Sequence, residues 1–347
     1  MSYYNKSIDF SEEKASYTAI FCGQCNVVEI FSSHSVNILN FSLPPGLRIH
    51  ERLKTRSDIK LITLPEELRK DTLARHDAIN SSDIVFFCLP DAAAVEALSL
   101  VENKNTAVID TSTAHRTSCG FTYGFPELYG KRSEILKSKR IANPGCHASG
   151  FLALTEPLVR AGIIKEGTRL SCFSLTGYSG GGKNMIAEYT SEARSPLLSA
   201  PRQYALAQEH KHLNEMAELA GLNVAPVFCA TVCDFYSGMQ VTVPLFGSDI
   251  SGTVEDIRSV YRSAYAKGLV RFEEAPDEKG FLSASLMSGY DDMIVSVYGN
   301  SDRIILTAVF DNLGKGASGS AIQNMNILLG QDDAFGLCLS DFGKERK

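Results

Sequence analysis

The sequence predicts an α/β protein in two parts, a doubly wound parallel sheet followed by an α+β domain with a mostly antiparallel sheet. Three observations carry this. Between residues 46 and 145 apolar runs alternate with helical periods, and beyond residue 165 strand-like runs succeed one another mostly without helices. The length of 347 residues suits about two domains.

Gly46 to Leu53 reads as a helix start, with Leu47, Ile49 and Leu53 apolar. Ile59 to Thr63 is strand-like, Pro65 suits a first helical position, and a helix over EELRKDTLARHDAI follows. Asp83 to Leu89 (DIVFFCL) is the unbroken apolar run expected of a strand buried on both faces. Asp91 to Leu98 is a helix, and Ala107 to Asp110 and Arg140 to Ala142 are further strands. Ligands of such a sheet collect at the carboxyl ends of its strands, where Cys88 to Asp91, Asp110 to Thr113 and Asn143 to Cys146 fall. In the second part Thr168 to Thr176, Ala225 to Val232, Met239 to Leu245, Met293 to Tyr298 and Arg303 to Phe310 read as strands, and Val254 to Lys267 as a helix. A last helix, Ala317 to Leu329, can return to the first part. The domain division is therefore 1–45 as an atypical segment, 46–145 with 315–347 as the first domain, and 146–314 as the second.

Lys plus Arg number 34 against 40 for Asp plus Glu, a net charge of −6. That balance argues against a nucleic-acid or membrane-surface role, since polyanions are held by excess Lys and Arg. No stretch approaches the roughly 18 apolar residues of a membrane span. The start, MSYYNKSIDFSEEK, is too acidic and polar for a signal peptide, so the expected location is cytoplasmic. Nine irregularly spaced cysteines point to reduced thiols. Cys22 and Cys25 form a lone CxxC without a second pair, and no metal site is expected.

Asn143-Pro-Gly-Cys146 is the most informative stretch. A strand ends, Pro and Gly turn the chain, and a helix begins near Ser149 with Phe151, Leu154 and Leu158 on one face. Cys146 then precedes a helix N-terminus, whose free amides and dipole favour a thiolate and lower its pKa from about 8.5. A cysteine nucleophile needs a proton partner, and His210-Lys-His212 supplies two candidates. Glu215, within helical reach of His212, can orient its ring, and a third ligand for a metal at this pair is not evident. Two glycine-rich segments remain. The amides of Ser179 to Lys183 can hold a phosphate or carboxylate, and Asp311 to Gly319 ends a strand and opens the last helix.

These stretches, with Gly46-Leu-Arg-Ile-His-Glu-Arg-Leu53, Asp110-Thr-Ser-Thr-Ala-His-Arg116 and Gly177-Tyr-Ser-Gly-Gly-Gly-Lys183, resemble in order the N-acetyl-γ-glutamyl-phosphate reductase family of arginine biosynthesis, particularly its shorter type 2 branch. The resemblance implies a Rossmann-like cofactor domain, a dehydrogenase α/β domain, NADPH as hydride donor, a small acyl-phosphate substrate and a homo-oligomer (dimer or tetramer). It makes Cys146 the nucleophile and His210 and His212 the matching histidine pair. It places cofactor contacts at Gly46, Cys88, Leu89, Pro90, Ser112, Asn312 and Gly316, and substrate contacts at Asn143, Ser179, Gly180, Lys183 and Glu215. His147 and Ser149 stand where the family usually has an aromatic residue and Thr, and Asn214 where it has Pro. The family's phosphate loop would put glycines at 40, 43 and 46, yet only Gly46 is present, and Pro44 and Pro45 carry no amide hydrogen. Weakened NADPH binding is the expectation. The residues do not read the acyl group, so a reductase of the aspartate-semialdehyde dehydrogenase kind and a non-catalytic relic of the fold stand as alternatives.

Overall fold

The computed structural model describes residues 17–20, 29–32, 34–39 and 44–342. Fifteen strands are described within them. In chain order they are β1 (Tyr17–Ile20), β2 (Glu29–Ser32), β3 (His34–Leu39), β4 (Ile59–Ile62), β5 (Ile84–Phe87), β6 (Ala107–Asp110), β7 (Thr122–Tyr123), β8 (Arg140–Ala142), β9 (Ser171–Gly177), β10 (Arg202–Tyr204), β11 (Val227–Cys233), β12 (Met239–Phe246), β13 (Val270–Phe272), β14 (Met293–Gly299) and β15 (Arg303–Phe310). The α-helices are α1 (Pro44–Leu53), α2 (Thr72–Asn80), α3 (Asp91–Ser99), α4 (Lys131–Ile135), α5 (Cys146–Arg160), α6 (Gly182–Thr190), α7 (His212–Ala220), α8 (Val254–Ala264) and α9 (Gly319–Leu328).

Strands β1 and β2 form a separate antiparallel pair. Six strands make a fully parallel sheet in the order β4-β3-β5-β6-β8-β7. Its first strand lies upstream of residue 46, which corrects the reading of 1–45 as wholly outside the domain. Val36 pairs with Leu61 on one side and Ile84 on the other, so β3 is interior to the sheet. Asn37, fully buried in β3, breaks that strand's apolar run, whereas the run of β5 is unbroken. The bridge from β3 to α1, including Asn40 and Leu43, lies outside the described residues, as does the Cys22/Cys25 pair.

The helix expected from Pro65 is shorter. A 3₁₀ turn at Glu66–Leu68 comes first, and α2 starts only after Asp71, whose carboxylate accepts from Ala74 N at 2.7 Å. Seven strands form the second sheet, in the order β10-β11-β9-β12-β15-β14-β13. Its pairings are antiparallel except β9–β11 and β13–β14. No described helix is long and apolar enough to cross a membrane.

Helix α5 joins the two halves. It starts at Cys146, three residues before the expected Ser149, and buries Ala148, Phe151, Leu152 and Leu154 against Val241 and Phe310 of the second sheet. Tyr261 of α8 and Tyr265 just past its end donate hydroxyl bonds to the carbonyls of Leu154 and Ala153, each at 2.5 Å. Helix α9 returns to the first sheet, where Ile322 and Met325 pack with Ile38 and Ile109.

The halves are also clamped by charge. Lys315, wholly buried, donates to Glu127 at 2.7 Å and to Gln323 at 2.5 Å. The other Glu127 oxygen accepts from Leu269 N at 2.9 Å. Removing one partner of a buried pair leaves an uncompensated charge, at a cost of about 3–5 kcal/mol. Glu127→Gln should therefore lower unfolding stability in urea by about that amount, whereas Glu134→Gln, at an exposed pair with Lys131, should leave it nearly unchanged.

Candidate active site

Between the sheets lies a cavity of about 550 Å³ at the carboxyl ends of β5, β6 and β8. Cys146 opens α5 on its floor, half-buried, with Gly145 as the residue before the helix. The placement is fixed by Glu215. Its Oε1 accepts from Gly145 N at 2.8 Å and from the Tyr123 hydroxyl at 2.6 Å, while Oε2 pairs with Arg116 at 3.0 Å. Arg116 Nε in turn donates to the carbonyl of Asn143 at 3.0 Å. Gly145 must be glycine here, because a Cβ would overlap the Arg116 guanidinium and the His212 ring.

Glu215 does not line the cavity, and its hydrogen bonds go to Gly145, Tyr123 and Arg116 and not to His212. It lies beneath the floor and holds the turn before the cysteine. His212 is buried as the first residue of α7, and its Nδ1 has no partner among the described residues. Three imidazoles cluster beside the thiol, with ring centroids 4.7 Å apart for His210 and His212, and 5.7 and 5.5 Å from these to His147. Sequence reasoning noted His147 only as a departure from the family and gave no site role to it or to Tyr204, whose hydroxyl meets His147 Nε2 at 2.6 Å. It also passed over Arg116 as a site residue and over Lys211, which lines the cavity. Only the family motif ending at Arg116 and the lysine between the paired histidines carried a trace of these roles.

The other expected residues divide. Leu89, Pro90, Ser112, Asn143, Ser179, Gly180, Asn312 and Gly316 line the cavity with Cys146, His210 and His212. Several of their polar groups bond within the protein instead of facing a ligand. Asn143 Nδ2 donates to Ala317 O at 3.0 Å, and Asn312 donates to Ser179 Oγ at 3.0 Å and accepts from Gly238 N at 2.9 Å. The Ser112 hydroxyl donates to Asp110 at 2.8 Å. Cys88 is fully buried and does not reach the cavity. Lys183 is exposed on α6 and does not line it either; Gly181, Gly182 and Met185 do so in its place. Gly46 falls in the first turn of α1, which opens on Pro44 and Pro45.

The expected thiolate is also corrected. Burial, opposed by the Arg116 guanidinium, pushes the Cys146 thiol up to about 11. A helix terminus is worth about 0.3–1 kcal/mol, less than the desolvation of a thiolate at this depth. Burial likewise holds the histidines neutral: His147 is pushed down to about 3, His210 is lowered, and His212 falls well below its ordinary value. Among the described residues no group of three or more His, Cys, Asp or Glu is arranged to hold a metal ion.

Semialdehyde dehydrogenase domains account for both halves: residues 35–137 match the NAD binding domain and residues 146–312 the dimerisation domain. The chain is 40% identical to "N-acetyl-gamma-glutamyl-phosphate reductase 2" of Pseudomonas putida over 84% of its own length and 95% of that protein. It is 39% identical to the like-named protein of a Nostoc species, over 84% of this chain and 95% of the relative. The chain belongs to the semialdehyde dehydrogenase family, among its N-acetyl-γ-glutamyl-phosphate reductases. The fold agrees with solved semialdehyde dehydrogenases. Aspartate semialdehyde dehydrogenase II of Vibrio cholerae superposes with a TM-score of 0.66 at 17% identity, covering 86% of this chain and 99% of that one. The Candida albicans enzyme reaches 0.59 at 16% identity, with 86% and 99% covered. As a reductase of this family, the chain carries its cysteine in a site that keeps the thiol protonated at rest. Iodoacetamide alkylation of Cys146, followed by mass spectrometry, should accelerate about tenfold per pH unit from 7 to 10, with no plateau near 8.5.

Proposed function

We infer that this chain reduces N-acetyl-γ-glutamyl phosphate to N-acetylglutamate 5-semialdehyde and phosphate, through a thioester on Cys146. The observation that carries this reading is the half-buried thiol on the cavity floor, with two neutral histidines beside it and the strand-end loops of the parallel sheet facing it. The cavity suits a nicotinamide. Leu89, Pro90 and Ser112 line it from the parallel sheet, and Asn312, Leu313, Gly316 and Ala317 from the loop after β15. A Cβ on Gly316 would come within 2.9 Å of Cys146 Cβ, so glycine keeps the passage to the thiol open. These residues would hold the reactive end of NADPH.

Cys146 loses its proton to a neighbouring imidazole as its sulfur attacks the acyl phosphate, and inorganic phosphate leaves as the thioester forms. His212 fits that acceptor, being neutral, buried and unpartnered at Nδ1. Lys211 and Arg116 are the cavity's cations and oppose the charge of the departing phosphate. NADPH, when bound there, would supply the hydride needed to take the thioester to the hemithioacetal. The protonated imidazole then returns its proton to sulfur as the carbon–sulfur bond breaks and the aldehyde leaves. The reading extends to a homo-oligomer through the dimerisation domain. It places the enzyme in the cytoplasm, where a catalytic thiol stays reduced.

Cys146→Ser should abolish turnover while leaving the unfolding transition in place; retained turnover would exclude the covalent route. His212→Asn should lower kcat by about 10²–10⁴. Because burial holds the His212 pKa well below 6.5, wild-type kcat should stay level as pH falls through 6.5, and decline only in more acidic buffer.

A further inference from the structure

Beside the reactive thiol runs a hydrogen-bonded chain that the mechanism above does not use. Ser174 Oγ meets His147 Nδ1 at 2.7 Å, and His147 Nε2 meets the Tyr204 hydroxyl at 2.6 Å. Ser174 is completely buried on β9, His147 is nearly so, and Tyr204 lines the cavity with Cys146. The direction of the protons follows from burial. His147 is a neutral imidazole with one N–H, because burial and the nearby His210 push it down to about 3. The Ser174 hydroxyl has no other partner among the described residues, so its proton must go to Nδ1; otherwise a buried donor is left unsatisfied. The imidazole proton is then on Nε2 and is donated to the tyrosine oxygen. That leaves the Tyr204 O–H free, and the open space it can reach is the cavity.

The segment after Tyr204 is built to hold this arrangement. Ala205 and Gln208 adopt left-handed φ values of 56° and 57°. The Gln208 amide is pinned to Phe228, accepting from its N–H and donating to its carbonyl, both at 2.8 Å. Burial and the adjacent Cys146 raise the phenol further, so it stays protonated at working pH.

Resting on the reductase reading, we propose that the Tyr204 hydroxyl is a further catalytic residue, donating a hydrogen bond to the carbonyl oxygen that becomes an oxyanion when Cys146 attacks, with His147 and Ser174 as the positioning residues that aim it. The tyrosine keeps its proton: the C=O π pair moves onto oxygen as the S–C bond forms and the thiol proton passes to the imidazole, and the tyrosine donor stabilises that charge until C=O re-forms and phosphate leaves. The same donor serves the hemithioacetal oxygen. A donor aimed at a developing oxyanion acts on the transition state more than on the bound substrate, so its loss appears in kcat and not in KM.

The test compares wild type, Tyr204→Phe and Ser174→Ala by steady-state reduction of N-acetyl-γ-glutamyl phosphate and by rapid-quench phosphate release without cofactor, with thermal unfolding as the folding control. Tyr204→Phe should lower both kcat and the phosphate-release rate by about 10²–10³ with KM nearly unchanged. Ser174→Ala should shift both rates in the same direction by less, since it only frees the imidazole to turn its proton around. A rise in KM at constant kcat would assign Tyr204 to ground-state binding and overturn the proposal, as would phosphate release at the wild-type rate in folded Tyr204→Phe. Absence of phosphate release from wild type itself would instead overturn the reductase reading, and the proposal with it.

Discussion

One buried carboxylate holds the catalytic geometry together. Glu215 receives the Gly145 N–H, the Tyr123 hydroxyl and the Arg116 guanidinium, so a single side chain on α7 fixes the turn before Cys146, the end of β7 and the loop after β6. A carboxylate at this depth is tolerable only when its oxygens are satisfied. Its partners are thereby as constrained as it is. Because His212 opens the same helix that carries Glu215, its imidazole and Cys146 are registered to each other through one short element. That rigidity matters for chemistry in which a small displacement of reacting atoms is costly.

The electrostatics around this anchor are arranged for a resting site and not an ionised one. Burial keeps the Cys146 thiol protonated and the neighbouring imidazoles neutral, and the charges that act on the sulfur, those of Arg116 and Glu215, are paired with each other. In the proposed reaction a neutral base next to a neutral thiol would become an ion pair only as the sulfur attacks, when the acyl group and its phosphate supply the charge to be balanced. The cavity thus favours charge that develops over charge already present.

The cofactor half and the catalytic half are joined by more than apolar packing. Arg52 of α1 meets Asp291 at 2.8 Å and Arg48 meets Asp311 at 3.6 Å, while Asp311 also accepts from Leu313 N at 2.7 Å in the loop that walls the cavity. Lys315 of that loop is anchored in turn by Glu127. Helix α1, which follows the first parallel strand, is therefore tied directly to the segment facing the thiol. That segment of the cavity lining is held from both sides.

Local chemistry made much of this legible in the sequence. Strand β5 announced itself as an unbroken apolar run, and Asn143-Pro-Gly-Cys146 marked a sharp turn into a helix whatever lay around it. The two sheets, the alternation of the first and the mostly antiparallel second, follow from periodicities that each segment carries alone. Strand β3 was hidden because Asn37 breaks its run, and its place between β4 and β5 is a fact of pairing, not of composition. The role of Glu215 was misread because three-residue spacing suggests a contact with His212, whereas the helix turns the carboxylate toward residues 70 and 99 positions away. The thiol was expected to be acidic because a helix start is visible in sequence and depth is not. Sequence determined which groups are available: a thiol, three imidazoles, a phenol and a guanidinium. Only the tertiary structure decided which are charged and which are already bonded to the protein, because desolvation and hydrogen-bond partners depend on neighbours far along the chain.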